Sequence, residues 1–209
     1  MTLRPFPDLS GAAARLWRYG DDTGGIRGRR ESAGDPPVPG DLWIASATDG
    51  DFGRNDLALV LLTAVDHERR QATCMLVTDA RDPHFEGSLI QSGSVLGVPL
   101  VLWPHLQVDI DYSILDRRLG DGIEAVLLRR VLAWAQDVTD GYLAAASTSS
   151  TARFKAPRPP LPTGPVPLPG STEAEVAHST LTSLTEITSA LARAQGADHA
   201  RDLSTASAR

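Results

Sequence analysis

The chain has 209 residues, 42% hydrophobic and 5% aromatic, enough for one domain of ordinary size plus appendages. Its formal net charge of −6 falls between Val38 and Gln136, where eleven Asp and three Glu outnumber eight Arg, the reverse of the basic face of a nucleic-acid binder. No apolar run approaches the roughly 18 residues of a membrane span, the opening residues lack the apolar core of a secretory signal, and Cys74 is the only cysteine. An internal disulfide and a multi-cysteine metal site are therefore excluded, and a cytoplasmic protein is expected.

Residues 1–37 form an N-terminal arm. One short helix is predicted from Asp8 to Tyr19, followed by a glycine-rich connector carrying Arg27, Arg29 and Arg30. That cluster reads either as a phosphate-binding arm or, more simply, as a solvated linker. The run from Asp35 to Gly40 is a stiff boundary, since proline lacks the N–H needed inside a sheet.

Residues 38–146 hold the patterned block. Leu42–Ser46 is a short strand ending at a turn-rich stretch. Leu57–Val65 is nearly all apolar, as expected for a strand covered on both faces. A polar turn then returns the chain through Ala72–Thr78, giving a hairpin. Gly87–Ser92 is a fourth strand. Pro99–Trp103 and Leu106–Ile110 form a fifth, bent or placed at an edge by Pro104.

The period then changes to helical. Ile114, Leu115 and Leu119 predict one helical turn closed by Gly120. Asp121 and Glu124 have the spacing of a capping box. Ile123, Val126, Leu127, Val131, Trp134 and Val138 form one apolar stripe behind it. The expected class is mainly β with a C-terminal helix.

Residues 147–170 are a linker with seven prolines between Pro157 and Pro169. Its polyproline spacing, with Arg158 beside Pro159 and Pro160, imitates a ligand for an aromatic groove; a semi-rigid spacer is the plainer reading. In residues 171–209, Thr172 and Glu175 have capping-box spacing, and Ala177, Leu184, Ile187, Leu191 and Ala194 mark an amphipathic helix to about Arg193. Such a helix is marginal alone, so it either docks back on the block or meets a partner.

The chemistry-bearing residues are sparse. None of His67, His84, His105, His178 and His199 has metal-ligand spacing with another. His84 beside Asp82 and Glu86, or approaching His105, gives an acid–base candidate, against the simpler reading of loop polar residues. Cys74 lies mid-strand and reads as core. No phosphate-binding glycine loop and no nucleophile elbow occurs. No cofactor and no metal is expected.

The succession "PGDLWIA", "LALVLLTAV", "ATCMLVTD", "GVPLVLWPHL" and "ILDRRLGDGIEAVLLRRVLAWA" resembles the MazF/PemK-type toxins of toxin–antitoxin systems, over about Val38 to Gln136. The resemblance implies a small SH3-like β-barrel and a metal-independent endoribonuclease. It also implies single-stranded RNA, an antitoxin-like protein segment and a second copy of the chain as partners. In that family an Arg opening the second strand and a Thr after the third stabilise the scissile phosphate, a permanent fork of donors beside an orientable hydroxyl. The Thr position matches Thr78. The Arg position falls on Asp56, whose carboxylate would repel phosphate, leaving Arg54 and Arg81 as substitutes. Two functions follow: a degenerate or weak endoribonuclease acting through Thr78, Arg54 and Arg81, or a non-catalytic MazF-like scaffold that binds a protein partner.

Overall fold

In the computed structural model, residues 36–48, 55–147 and 156–206 are described. The predicted helix at Asp8–Tyr19, the arginine cluster after it and Arg54 lie outside them. Among the described residues, six strands form one antiparallel sheet: β1 (Asp41–Thr48), β2 (Asn55–Asp66), β3 (Gln71–Asp79), β4 (Leu89–Gln91), β5 (Leu100–Asp111) and β6 (Leu115–Asp121). Their spatial order is β4-β5-β3-β2-β1-β6. The two ends of this order do not pair, so the sheet is open and the expected closed barrel is not formed. Helix α1 (Ala125–Ser147) covers one face and helix α2 (Thr172–Ala206) covers the other.

That layering explains the strand compositions. Along β2, Leu59 and Leu61 enter the core beneath α1, while Ala58, Val60 and Leu62 enter the core beneath α2. Alternate residues of one strand thus serve two cores, and a nearly unbroken apolar run results. In β3, Met75 and Val77 face α1 while Cys74 and Leu76 face α2. Pro104 bends β5 as expected: Leu76 pairs with Trp103 and Met75 with Gln107, leaving Pro104 to Leu106 bulged out of the ladder. Leu100–Leu102 of β5 lie between β4 and β3, and from Pro104 on the strand pairs with β3 alone, so the bend sits where β5 becomes an edge.

The opening stretch Pro39-Gly40-Asp41 is the structural clasp of the sheet. Gly40 has φ +96°, and a Cβ there would lie 2.7 Å from the Ile123 carbonyl oxygen, so only glycine fits. Its N–H donates to Leu62 O at 2.8 Å, and its carbonyl accepts from the N–H groups of Gly122 and Ile123. Asp41 is buried. It accepts the Val38 N–H at 3.2 Å and a guanidinium N–H of Arg118 at 2.6 Å.

Two local readings between Ile114 and Glu124 are corrected. The predicted helical turn is a 3-10 turn at Tyr112–Ile114 followed by β6, which pairs with β1. Leu115 and Leu119 are four apart, a spacing that satisfies both a helix and a strand, and the unpaired edge of β1 decides for the strand. The capping box does not form either. Asp121 is the strand end paired with Asp41, its carboxylate is held by Arg118, and the first helical bond runs from Leu128 N–H to Glu124 O. The buried face of α1 is Leu128, Val131, Trp134, Ala135 and Val138; Val126 is exposed, one residue out of phase.

The proline-rich segment is not a free spacer. Its chain bonds along the outer edge of β4: Ile90 N–H to Pro162 O at 2.7 Å, Gly164 N–H to Ser88 O at 3.3 Å and Glu86 N–H to Pro165 O at 2.8 Å. The Trp134 indole donates to Pro157 O at 3.1 Å. Beyond this strap, Ser171 caps α2 through its hydroxyl and carbonyl, in place of the expected Thr172. The helix docks back on the sheet, its buried positions Ala177, Thr180, Leu184 and Leu191 recurring three, four and seven apart.

The α2 interface has a polar defect. Thr180 is fully buried and its hydroxyl has no hydrogen-bond partner among the described residues. An isosteric Thr180→Val removes that hydroxyl's desolvation cost, so the variant should be more stable by about 1 kcal/mol in urea unfolding. Equal or lower stability would show that the hydroxyl is satisfied in solution.

Candidate functional site

Thr78 ends the apolar part of β3 on the face covered by α2. It is 6% exposed, and its hydroxyl oxygen accepts the Trp103 indole N–H at 3.0 Å. Phe85 packs edge-on against that indole, with ring centroids 5.1 Å apart. Thr78 therefore sits in an aromatic-capped interior site, with its oxygen directed to a core tryptophan.

Arg81 lies in the turn that leaves β3 and folds over the fully buried Asp79. Its Nε donates to Asp79 Oδ1 at 3.1 Å and Oδ2 at 2.8 Å, and Nη2 contacts Oδ2. Asp79 Oδ1 also accepts the Arg81 backbone N–H at 2.9 Å. Burying a carboxylate requires a paired cation and hydrogen bonds, and Arg81 supplies both. Thr78 and Arg81 are brought to the same end of β3, but each is engaged by a different interior group. Asp56 pairs with Ala47 near the start of β2, the position where the resemblance expects Arg.

The histidines are dispersed. The His67 ring lies 3.0 Å from the Tyr112 hydroxyl at the β2–β3 hairpin. Tyr112 is pushed above the ordinary phenol range by loss of solvent and by the Asp66 charge, with Arg70 opposing, so its hydroxyl stays protonated. His84 Nδ1 contacts the Asp82 carbonyl at 2.9 Å, an interaction within its own loop. The His105 ring stands 6.0 Å from that of Trp134 on α1. His178 is exposed on α2, and the side chain of His199 lies outside the described residues. Among the described residues, no three His, Cys, Asp or Glu side chains converge to hold a metal ion. Cys74 is fully buried, and desolvation, with the Asp109 charge second, pushes its thiol far above the ordinary range. A thiol so placed is core filling, not a nucleophile.

Sequence reasoning missed an open depression of about 550 Å³ at the N-terminus of α1, between the Pro39–Asp41 clasp, Gln91 and Asp121–Ala125. The clasp and the β6–α1 junction are 80 residues apart in sequence, so no local pattern announces it. Asp121 and Glu124 are exposed on its rim. The guanidinium of Arg118 is spent on Asp41 and Asp121, each at 2.6 Å, and these bonds hold its protonated form. Carboxylates on the rim repel a phosphodiester. Among the described residues that line it there are acidic side chains and no Arg or Lys.

Among the described residues no helix is long and apolar enough to cross a membrane. No protein-family model matches the chain, and no curated protein matches it.

Proposed function

We propose that this chain is a non-catalytic MazF/PemK-like scaffold that binds a protein partner, with α2 lying where an antitoxin-like segment lies in that family. The observation that carries this reading is the engagement of two of the three expected phosphate ligands, Thr78 and Arg81, by the protein itself. Thr78 is buried on Trp103, and Arg81 serves as counter-ion to a buried aspartate. Stabilising a transition-state phosphate needs preorganised donors within hydrogen-bond reach of it. Here those donors have structural duties, and the family's Arg position is Asp56. The acidic charge of the block points the same way.

The alternative, a metal-independent endoribonuclease, is tested directly. Purified protein incubated without metal with a long single-stranded RNA should leave it intact. Discrete cleavage by the wild type, lost in Arg54→Ala or Arg81→Ala variants that keep their circular-dichroism spectrum, would overturn the scaffold reading. It would also show which arginine replaces the one missing at Asp56.

A further inference from the structure

The depression at the start of α1 carries an excess of negative charge. Asp41, Asp121 and Glu124 line it, and Arg118 bonds the first two. Glu124 is exposed and makes no ion pair among the described residues. Three carboxylates against one guanidinium leave the site net negative. The helix end by itself would favour an anion, but Glu124, whose carbonyl accepts the first helical bond, already sets a carboxylate there.

A second feature is independent of that charge. Gln91, from β4, also lines the depression and is only 8% exposed. Its Nε2 donates to Gly122 O at 2.8 Å and to Gly93 O at 3.0 Å, both carbonyls belonging to residues of the same lining. A reversed carboxamide would set its oxygen against those two carbonyl oxygens, so the orientation is fixed. Oε1 is left as a buried acceptor that no donor meets among the described residues. An unpaired buried acceptor destabilises a fold, and a donor brought by a ligand would relieve it. The lining has an apolar part as well, with Val38 44% and Val95 46% exposed.

From this arrangement we infer that the depression is a binding site for an aliphatic ammonium ion, a linear di- or polyamine. An ammonium group has three N–H donors and no acceptor, so it serves both the Gln91 oxygen and the carboxylates. Its methylene chain gives the two valines apolar cover. An anion would meet carboxylates and a carbonyl acceptor instead. A bare metal ion would find no convergent group of three His, Cys, Asp or Glu among the described residues, and would gain nothing from the valines. The inference does not rest on whether the sheet cleaves RNA, because neither Thr78 nor Arg81 lines the depression.

The test is an NMR titration of the ¹⁵N-labelled full chain with cadaverine, a linear diamine, at neutral pH and low ionic strength. Saturable shifts are expected in the amides of residues 38–41, 91–95 and 121–125. The side-chain amide of Gln91 should shift with them, since its protons respond when Oε1 accepts a bond. Sodium chloride at matched ionic strength, and the neutral diol of the same length, should not reproduce the response. Glu124→Gln removes one charge from an exposed side chain, so it should weaken binding by about threefold and leave the melting temperature unchanged. Four results would each overturn the inference: no saturable shifts, a response equalled by the salt or the diol, a silent Gln91 side chain, or unaltered affinity in Glu124→Gln.

Discussion

Replacing Arg118 with Met should lower the unfolding free energy by about 3–5 kcal/mol, the cost of leaving a buried carboxylate without its partner. Asp41 is only 2% exposed, and Arg118 itself is 17% exposed, so water can compensate neither group cheaply. The Val38 N–H on Oδ2 is a single neutral donor and cannot replace a guanidinium. The site also joins β1 to β6 and holds the clasp on which Gly122 and Ile123 hang, so the loss should be global. Urea unfolding read by linear extrapolation measures it. The Asp41→Asn/Arg118→Met double variant should recover part of the loss, because the neutral amide removes the orphaned charge. A single variant within 1 kcal/mol of wild type would show that water enters the site.

Leu184→Ala should destabilise the protein by about 2–5 kcal/mol, the range for a core leucine whose cavity cannot collapse. Leu184 is 1% exposed and shares a cluster with Trp43, Val60, Leu76, Trp103 and Ile110. Leu181, one turn away and 41% exposed, is the matched control and should change stability by no more than about 0.5 kcal/mol. Hydrogen exchange locates the effect: amides of residues 172–194 should lose protection before those of α1. If both variants were equally stable, α2 would not be part of the cooperative unit, and the sheet face beneath it would be open to another helix.

Several elements could be read directly from residue order. Period-two and fully apolar runs separated by Gly, Asp and Pro mark β1 to β5, because side-chain direction alternates with the backbone whatever the partner strand is. The unbroken apolar run in β2 required cover on both faces, and α1 and α2 provide it. Pro104 announced its bend because a missing N–H is a local property. Helix α1 was visible from its stripe, though its phase was set wrongly at Val126, whose exposure depends on where the chain leaves β6.

The candidate site was far less legible. Thr78 and Arg81 have the right residue types at the right end of β3, yet sequence order carries no information on what a hydroxyl or guanidinium meets across the fold. Trp103 is 25 residues from Thr78, and the pairing of β3 with β5 alone brings the indole to it. Asp79, adjacent to Thr78, takes Arg81 because it is buried, and burial is a property of the assembled layers.

What the sequence determined by itself is local: the strands, the helical stripes, the glycine at a turn, the acidic balance of the block and the aspartate where a catalytic arginine was expected. Tertiary structure alone decided three other matters. The sheet is open, because the edge strands β4 and β6 lie at opposite ends of the strand order. Residues 115–121 form a strand, because β1 offers an unpaired edge that a helical turn cannot satisfy. The proline-rich segment is seated along the sheet edge instead of being a free tether, because the N–H and carbonyl groups along β4 and its flanking loop bond to the strap, and a single glycine permits the contact. Each outcome depends on backbone groups that must be paired once they leave water, and residue order does not specify which distant segment will pair them.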